Sequence, residues 1–75
     1  MNKHRVSIVI PTYNEAENIA KVLEGIKRQM ARIGIRDYEL IVVDKHSRDG
    51  TAEVARKNGA IVIYDDIGKG SALVK

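Results

Sequence analysis

The sequence contains no cysteine, tryptophan or phenylalanine, and its 75 residues include a single proline. The absence of cysteine excludes disulfide bonds and metal sites built on thiolates. No apolar run approaches the ~20 residues that are needed to cross a bilayer, and residues 6–10 are too few for the apolar core of a signal peptide. We therefore expect a cytoplasmic domain.

Aromatic residues are also rare, because Tyr13, Tyr38 and Tyr64 are the only ones. The net charge is +3, but the basic residues are spread along the chain without a run of like charges or interleaved aromatics. We therefore expect no nucleic-acid partner. Hydrophobic residues make up 44% and charged residues 31% of the chain, a balance typical of one small globular domain.

Short apolar runs alternate with helical patterns along the chain. Residues 6–10, bounded by Pro11, predict a first strand, and residues 38–43 and 60–64 predict two more. A first helix is expected to begin with Asn14 as its N-cap and to end at Gly34, and a shorter second helix should cover residues 51–58. The apolar face of the first helix consists of Ile19, Val22, Leu23, Ile26, Met30 and Ile33.

This βαβαβ order predicts an α/β, Rossmann-like half of a doubly wound fold with a parallel sheet. If the strand order is 3-2-1, both helices cover the same face, and the first strand is an apolar edge. Residues 65–70 are then a loop, and residues 71–75 begin another helix. The uncovered face and the bare edge predict a homo-oligomer.

Ligands of open α/β sheets bind outside the carboxyl ends of the strands, where residues 11–15, 44–47 and 65–70 lie. Asp44 ends a buried strand, so its carboxylate needs a donor, either from a ligand or from N–H groups of its own loop. Thr12 and Tyr13 offer a hydroxyl and an aromatic face to a ligand, or form a turn with a packing tyrosine. Glu15 either faces a ligand or only complements the helix dipole.

Three further features at this edge have two interpretations each. Asp49 and Thr51 open the second helix, where the backbone either faces a phosphate or is capped by Asp49 or Ser47. Lys69 stands between two glycines and either reaches a phosphate or belongs to an ordinary loop. Residues 65–66 are adjacent aspartates that either hold Mg²⁺ or are solvated. The dinucleotide fingerprint and the Walker A sequence are both absent.

Three segments resemble known motifs. Residues 6–15, with the sequence VSIVIPTYNE, resemble the opening of family 2 glycosyltransferases, in particular the dolichol- or polyprenyl-phosphate sugar transferases. Residues 38–51 are similar to the second motif of that family, and residues 68–73 to the third. The resemblance covers the whole chain in the correct order and spacing, and it implies a GT-A fold.

The resemblance implies an inverting transferase that uses a UDP- or GDP-linked sugar and a divalent metal, Mg²⁺ or Mn²⁺. The implied nucleotide-binding residues are Pro11, Thr12, Tyr13, Glu15, Asp44, Lys45, Ser47 and Lys69. Lys45 stands where the family often has a second aspartate that touches the base, so the identity of the base stays open. Lys69 is expected near the phosphates of the donor.

The Asp-x-Asp metal motif of the family follows a fourth strand, and its catalytic base comes later still. Neither lies within these residues, so we expect residues 1–75 to be a single N-terminal portion that transfers no sugar alone. The metal ligands should lie outside the chain, and the resemblance is compatible with a parent enzyme at the cytoplasmic face of a membrane. A non-catalytic nucleotide-binding module and a structural, self-associating fragment are the alternatives.

Overall fold

A computed structural model describes residues 6–65. In chain order its elements are β1 (Val6–Thr12), α1 (Ala16–Arg32), β2 (Tyr38–Asp44), α2 (Thr51–Lys57) and β3 (Ile61–Tyr64). The three strands form a parallel sheet in the order β1-β2-β3. The predicted α/β class and the predicted 3-2-1 strand order are therefore confirmed. The residues after 65, including most of the predicted 65–70 loop and all of residues 71–75, lie outside the described part.

Alternate residues of the strands supply the core, because successive side chains of a strand point to opposite faces of the sheet. Leu40 and Val42 are buried, whereas Ile41 and Val43, which alternate with them along β2, are only half-buried. Both helices contribute to this one core, so they cover the same face, as the strand order predicts. The buried apolar cluster consists of Ile19, Leu23, Leu40, Val42, Ala55 and Ala60.

The opposite face of the sheet is apolar and is not covered by the other described elements. Val9 is 58% exposed, and Ile61 and Ile63 are 45% and 49% exposed. Large apolar side chains at such exposure are typical of a surface that another element or molecule covers. The predicted homo-oligomer stays a prediction.

The apolar face of α1 is narrower than predicted. Ile19, Leu23 and Met30 are buried, but Val22 is 43% exposed and Ile33 is 63% exposed. Val22 lies on the flank of the buried stripe, about 100° around the helix from Leu23. Ile33 is the C-cap residue, where the chain leaves the helix.

Two strand boundaries differ from the predictions. β1 continues through Pro11 to Thr12, and β2 includes Asp44. Proline within β1 is tolerated because β1 is an edge of the described sheet, with no strand on its outer side to receive a hydrogen bond. β3 begins at Ile61, one residue later than predicted.

The predicted N-cap of α1 is wrong, whereas its predicted end is confirmed. α1 begins at Ala16 with Glu15 as N-cap, and Asn14 instead has a left-handed backbone with a φ of 52°. Gly34 has a φ of 80° and ends the helix in a Schellman motif, in which the Ile35 N–H donates to the Met30 carbonyl at 2.9 Å. α2 ends at Lys57, one residue earlier than predicted, and Gly59 closes it with the same motif.

Candidate functional site

The parallel sheet brings the first two predicted segments together. Thr12 and Asp44 are register partners at the carboxyl ends of β1 and β2, and Tyr64 is the partner of Asp44 on β3. The first loop (residues 13–15) and the second loop (residues 45–50) therefore leave the sheet side by side. Lys69, the candidate from the third segment, lies outside the described residues.

Asp44 is the buried centre of this edge, with a side chain that is 0% exposed. One carboxylate oxygen, Oδ1, accepts the hydroxyls of Thr12 at 2.7 Å and Ser47 at 2.6 Å. The other oxygen, Oδ2, accepts the Ser47 N–H at 2.8 Å. The sequence left open whether a ligand or the N–H groups of its own loop would donate to Asp44. In the structure, the Ser47 N–H of its own loop is one of the donors.

The charge of Asp44 is stabilised by these bonds. Burial raises the pKa of Asp44, but the hydrogen bonds from the Ser47 hydroxyl, the Thr12 hydroxyl and the Ser47 N–H outweigh it and hold the pKa below its ordinary value. Because an ionised carboxylate only accepts hydrogen bonds, it fixes the directions of both hydroxyls that surround it.

The first loop and the start of α1 are bonded to the second loop and the start of α2 through three consecutive amides. The Asn14 N–H donates to Ser47 Oγ at 2.6 Å, and the Glu15 N–H donates to Thr51 Oγ1 at 2.8 Å. The N–H of the next residue, 16, donates to Asp49 Oδ2 at 3.1 Å. In return, Asn14 Oδ1 accepts the N–H of residue 48 at 2.9 Å. The two loops therefore form one hydrogen-bonded unit.

The N-cap residue of the second helix is Gly50, and Asp49, one residue earlier, accepts the first amide of that helix, which is close to one of the two interpretations of this segment. Its Oδ1 atom accepts the Thr51 N–H at 3.1 Å and also the Thr51 hydroxyl. These bonds, first among them the one from the Thr51 side chain, hold the pKa of Asp49 below its ordinary value. Ser47, the other candidate cap, is instead bonded to Asp44 and Asn14. The amides of Ala16 and Thr51 are thus occupied by a carboxylate of the protein.

The predicted site residues divide into a support and a rim. Thr12 and Asp44 are buried and Ser47 is half-buried, and these three form the support. Tyr13 is 59% exposed beside them. The exposed rim consists of Pro11, Tyr13, Glu15 and Lys45. The contact of each of these residues with a nucleotide stays a prediction.

Several residues of this edge were missed or misassigned at the level of sequence. His46 has a φ of 56°, and its ring stacks on Tyr64 with centroids 5.0 Å apart. The Tyr64 hydroxyl accepts a hydrogen bond from Arg56 Nη2 at 3.2 Å. The bonds of the Thr51 hydroxyl, which donates to Asp49 and accepts the Glu15 N–H, were also not predicted. The left-handed backbone of Asn14 could have been predicted from its residue type, since asparagine tolerates this conformation better than most residues.

A cavity of about 430 Å³ lies at the opposite edge of the sheet, near the amino ends of β2 and β3. Lys27, Arg36, Tyr38 and Gly59 are among the residues that line it. Ligands of open α/β sheets bind at the carboxyl ends, so we place the candidate site at the two loops and not in this cavity.

Two further features concern residues 6–65, the part of the chain that the structure describes. In that part of the chain no three histidine, aspartate or glutamate side chains are grouped so that they could hold a metal ion. Neither α1 nor α2 combines the length and the apolar character that a membrane-spanning helix needs.

The chain matches known proteins over most of its length. The model of glycosyl transferase family 2 matches residues 7–75. Glycosyltransferase AglE of Haloferax volcanii is 50% identical over 52 residues, which are 69% of this chain and 16% of that protein. The chain therefore spans less than a fifth of this relative's length.

Solved structures share the fold. Mannosyl-3-phosphoglycerate synthase from Rubrobacter xylanophilus matches 89% of this chain and 22% of its own, with a TM-score of 0.74 and 34% identity. A second match is glucosyl-3-phosphoglycerate synthase from Mycobacterium tuberculosis, solved in complex with Mn²⁺, UDP and glucosyl-3-phosphoglycerate. The match covers 84% of this chain and 22% of that protein, with a TM-score of 0.67 and 32% identity. These neighbours confirm the GT-A type of fold, and the chain belongs to glycosyl transferase family 2.

Proposed function

We propose that this chain is the N-terminal nucleotide-binding portion of a glycosyltransferase that transfers sugar from a UDP- or GDP-linked donor to a lipid-phosphate or saccharide acceptor. The observation that carries the proposal is the bonded pair of loops at the carboxyl edge, built around the buried Asp44. This is the edge where open α/β sheets bind ligands. The similar structure from Mycobacterium tuberculosis, which holds UDP and Mn²⁺, supports it.

The support and the rim have different parts in this proposal. Thr12, Asp44 and Ser47 hold the loops in place. On the rim, the exposed ring of Tyr13 offers an apolar face on which a base stacks. Lys45 and, outside the described residues, Lys69 offer positive charge for the ribose-phosphate part of the donor.

The transfer step itself needs groups that we place outside this chain, namely a catalytic base and the ligands of a divalent metal. When bound, such a metal neutralises the charge of the leaving diphosphate. We therefore expect the 75-residue chain to transfer no sugar, and we place the parent enzyme in the cytoplasm, at the membrane face if its acceptor is a lipid phosphate. Product formation from a UDP- or GDP-sugar by the purified chain, followed by mass spectrometry, would contradict this expectation.

Amide NMR titration of the chain with UDP, GDP and their sugar conjugates, with and without Mg²⁺ or Mn²⁺, tests the binding part. We expect shifts confined to the first and second loops and the segment around Lys69. Tyr13→Ala should raise the Kd about tenfold or more, because stacking contributes on the order of 1–3 kcal/mol per base. Ile33→Ala, at an equally exposed position on the other edge, should leave the Kd unchanged. A well-dispersed spectrum without shifts would overturn the proposal.

A structural, self-associating chain is the second candidate, and the apolar sheet face with Val9, Ile61 and Ile63 favours it. It predicts a dimer or larger species by light scattering and no nucleotide-dependent shifts. A monomer that binds nucleotide would exclude the self-associating chain. A third candidate, a non-catalytic binding module, would be favoured if the stable chain bound nucleotide tightly without a metal.

A further inference from the structure

The conformation of the first loop depends on side chains from a distant segment. The amides of residues 14–16 donate in turn to Ser47, Thr51 and Asp49, which lie 33 to 36 residues further along the chain. Three consecutive amides have thus exchanged water for side-chain acceptors of the second loop and the start of α2. A loop whose amides are held at residues 14 and 15, and at the helix residue that follows, has little freedom of its own.

This conformation is one that the first loop would rarely adopt alone. Asn14 has a φ of 52°, a region that costs energy for residues other than glycine. The left-handed residue is held from both sides, since its N–H donates to Ser47 and its Oδ1 accepts the Arg48 N–H. Tyr13, which precedes this turn, and Glu15, which follows it, are both exposed to solvent at the rim.

Asp49 has a particular place among these acceptors because its carboxylate bonds to both helices. Oδ2 accepts the N–H of Ala16, the first residue of α1, and Oδ1 accepts the N–H of Thr51, the first residue of α2. A negative charge between two helix amino termini is also favoured by the dipoles of both helices. Its side chain is exposed at the surface, so its bonds are not dictated by core packing.

We propose that Asp49 is a positioning residue for nucleotide binding, which sets affinity through the first loop without touching the nucleotide itself. The proposal rests on the proposed function, since it assumes that Tyr13 and Glu15 on the rim meet the nucleotide. A loop that is already held in its bound conformation loses less freedom on binding than a loose one. Removing the bond to Ala16 therefore weakens binding even though the contacting side chains are intact.

Asp49→Asn tests this inference with little change of shape. In either orientation an asparagine side chain has one acceptor oxygen, so it can serve Ala16 or Thr51 but not both. Glu53→Gln is the matched control, because it removes the same charge from the exposed first turn of α2 and Glu53 has no bond to the first loop among those described. Both variants are compared with the wild-type chain under conditions in which urea unfolding shows all three to be folded.

Two measurements decide the outcome. Without nucleotide, Asp49→Asn should make the Ala16 or the Thr51 amide exchange with solvent on the order of tenfold faster and disturb the shifts of residues 13–16. With UDP or GDP, whichever the wild type binds, its Kd should rise on the order of tenfold. At saturating nucleotide, the shifts of residues 13–16 should return to the wild-type bound positions, since the ligand then orders the loop. Glu53→Gln should change none of these.

The possible failures are distinct from one another. An unchanged Kd in Asp49→Asn, with disturbed loop amides, overturns the positioning role but leaves the proposed function intact. Undisturbed amides of residues 13–16 in both Asp49→Asn and Asp49→Ala, which has no side-chain acceptor for the Ala16 N–H, overturn the link between Asp49 and the loop. If the wild type binds no nucleotide, the proposed function fails and the inference fails with it. If Asp49→Asn is unfolded, Asp49→Ser, with a hydroxyl that can still cap α2, takes its place with the same expectations.

Discussion

The chain is closed in different ways at the two ends of its parallel strands, which we call the amino edge and the carboxyl edge. At the amino edge, α1 and α2 end in Schellman motifs at Gly34 and Gly59, in which backbone groups at most five residues apart bond to one another. At the carboxyl edge, side chains close the chain over separations of 32 to 36 residues: the Thr12 hydroxyl donates to Asp44, and the Glu15 N–H donates to the Thr51 hydroxyl. One edge is closed by local conformation, and the other is closed by the tertiary fold.

The difference decides which groups control the backbone conformation at each edge. A turn closed by its own backbone needs a glycine and offers few side-chain groups. Loops closed by side chains collect hydroxyls and carboxylates, and these groups place the neighbouring rim residues. The carboxyl edge should consequently be the edge whose conformation depends on individual polar residues, and the amino edge should depend on its glycines.

The strongest way to break this comparison is Asp44→Ala, which we expect to have the largest effect. It leaves the hydroxyls of Thr12 and Ser47 and the Ser47 N–H without their acceptor in a buried place. We expect the free energy of unfolding to fall by about 3 kcal/mol, as measured by urea denaturation. In a domain of this size such a loss is a large part of the total stability.

Glu24→Ala is the control for this prediction, since Glu24 is exposed on α1 far from both loops. It should change the free energy of unfolding by less than about 0.5 kcal/mol. If Asp44→Ala were no more destabilising than Glu24→Ala, Asp44 would not be the centre of the carboxyl edge.

The same comparison explains what the sequence could predict. Gly34 and Gly59 follow apolar helical patterns, and their role as helix ends needs only local information. The strands and their order follow from short apolar runs and the handedness of crossovers. The donors to Asp44 could not be chosen in advance, because one of them, Thr12, lies 32 residues away. Asn14 was predicted as a cap from its neighbours, whereas Ser47 and Arg48 of the other loop hold it in a turn.

Acid should weaken the carboxyl edge, with a smaller effect than Asp44→Ala because a protonated carboxyl can still bond to its neighbours. The pKa of Asp44 is lower in the folded chain than its ordinary value, which we take for the unfolded chain. Its contribution to stability is therefore complete above the ordinary aspartate pKa of about 3.9 and is lost as the pH falls through the lower folded value. Urea midpoints measured between about pH 6 and about pH 2 should show this loss.

Asp44→Asn is the variant that isolates the contribution of Asp44 to the acid limb. It has no titrating group at this position, so its free energy of unfolding should fall less steeply below the ordinary aspartate pKa than that of the wild type. Asp49, whose pKa is also lowered, still titrates in this variant, so part of the slope should remain. Equal acid slopes in the two proteins would mean that Asp44 is not stabilised as a carboxylate.

The smallest effects are expected at the amino edge, where the glycines can be compared with one another. Gly34→Ala places a Cβ at a φ of 80° and should lower the free energy of unfolding by about 1 kcal/mol, although no atom lies within 4 Å of that Cβ. Gly25→Ala, in the interior of α1 and also without a neighbour within 4 Å, should raise it by about 0.5–1 kcal/mol. Since both sites have room for a methyl group, opposite signs in urea denaturation would isolate backbone conformation as the cause. A stabilising Gly34→Ala would contradict the local account of this edge.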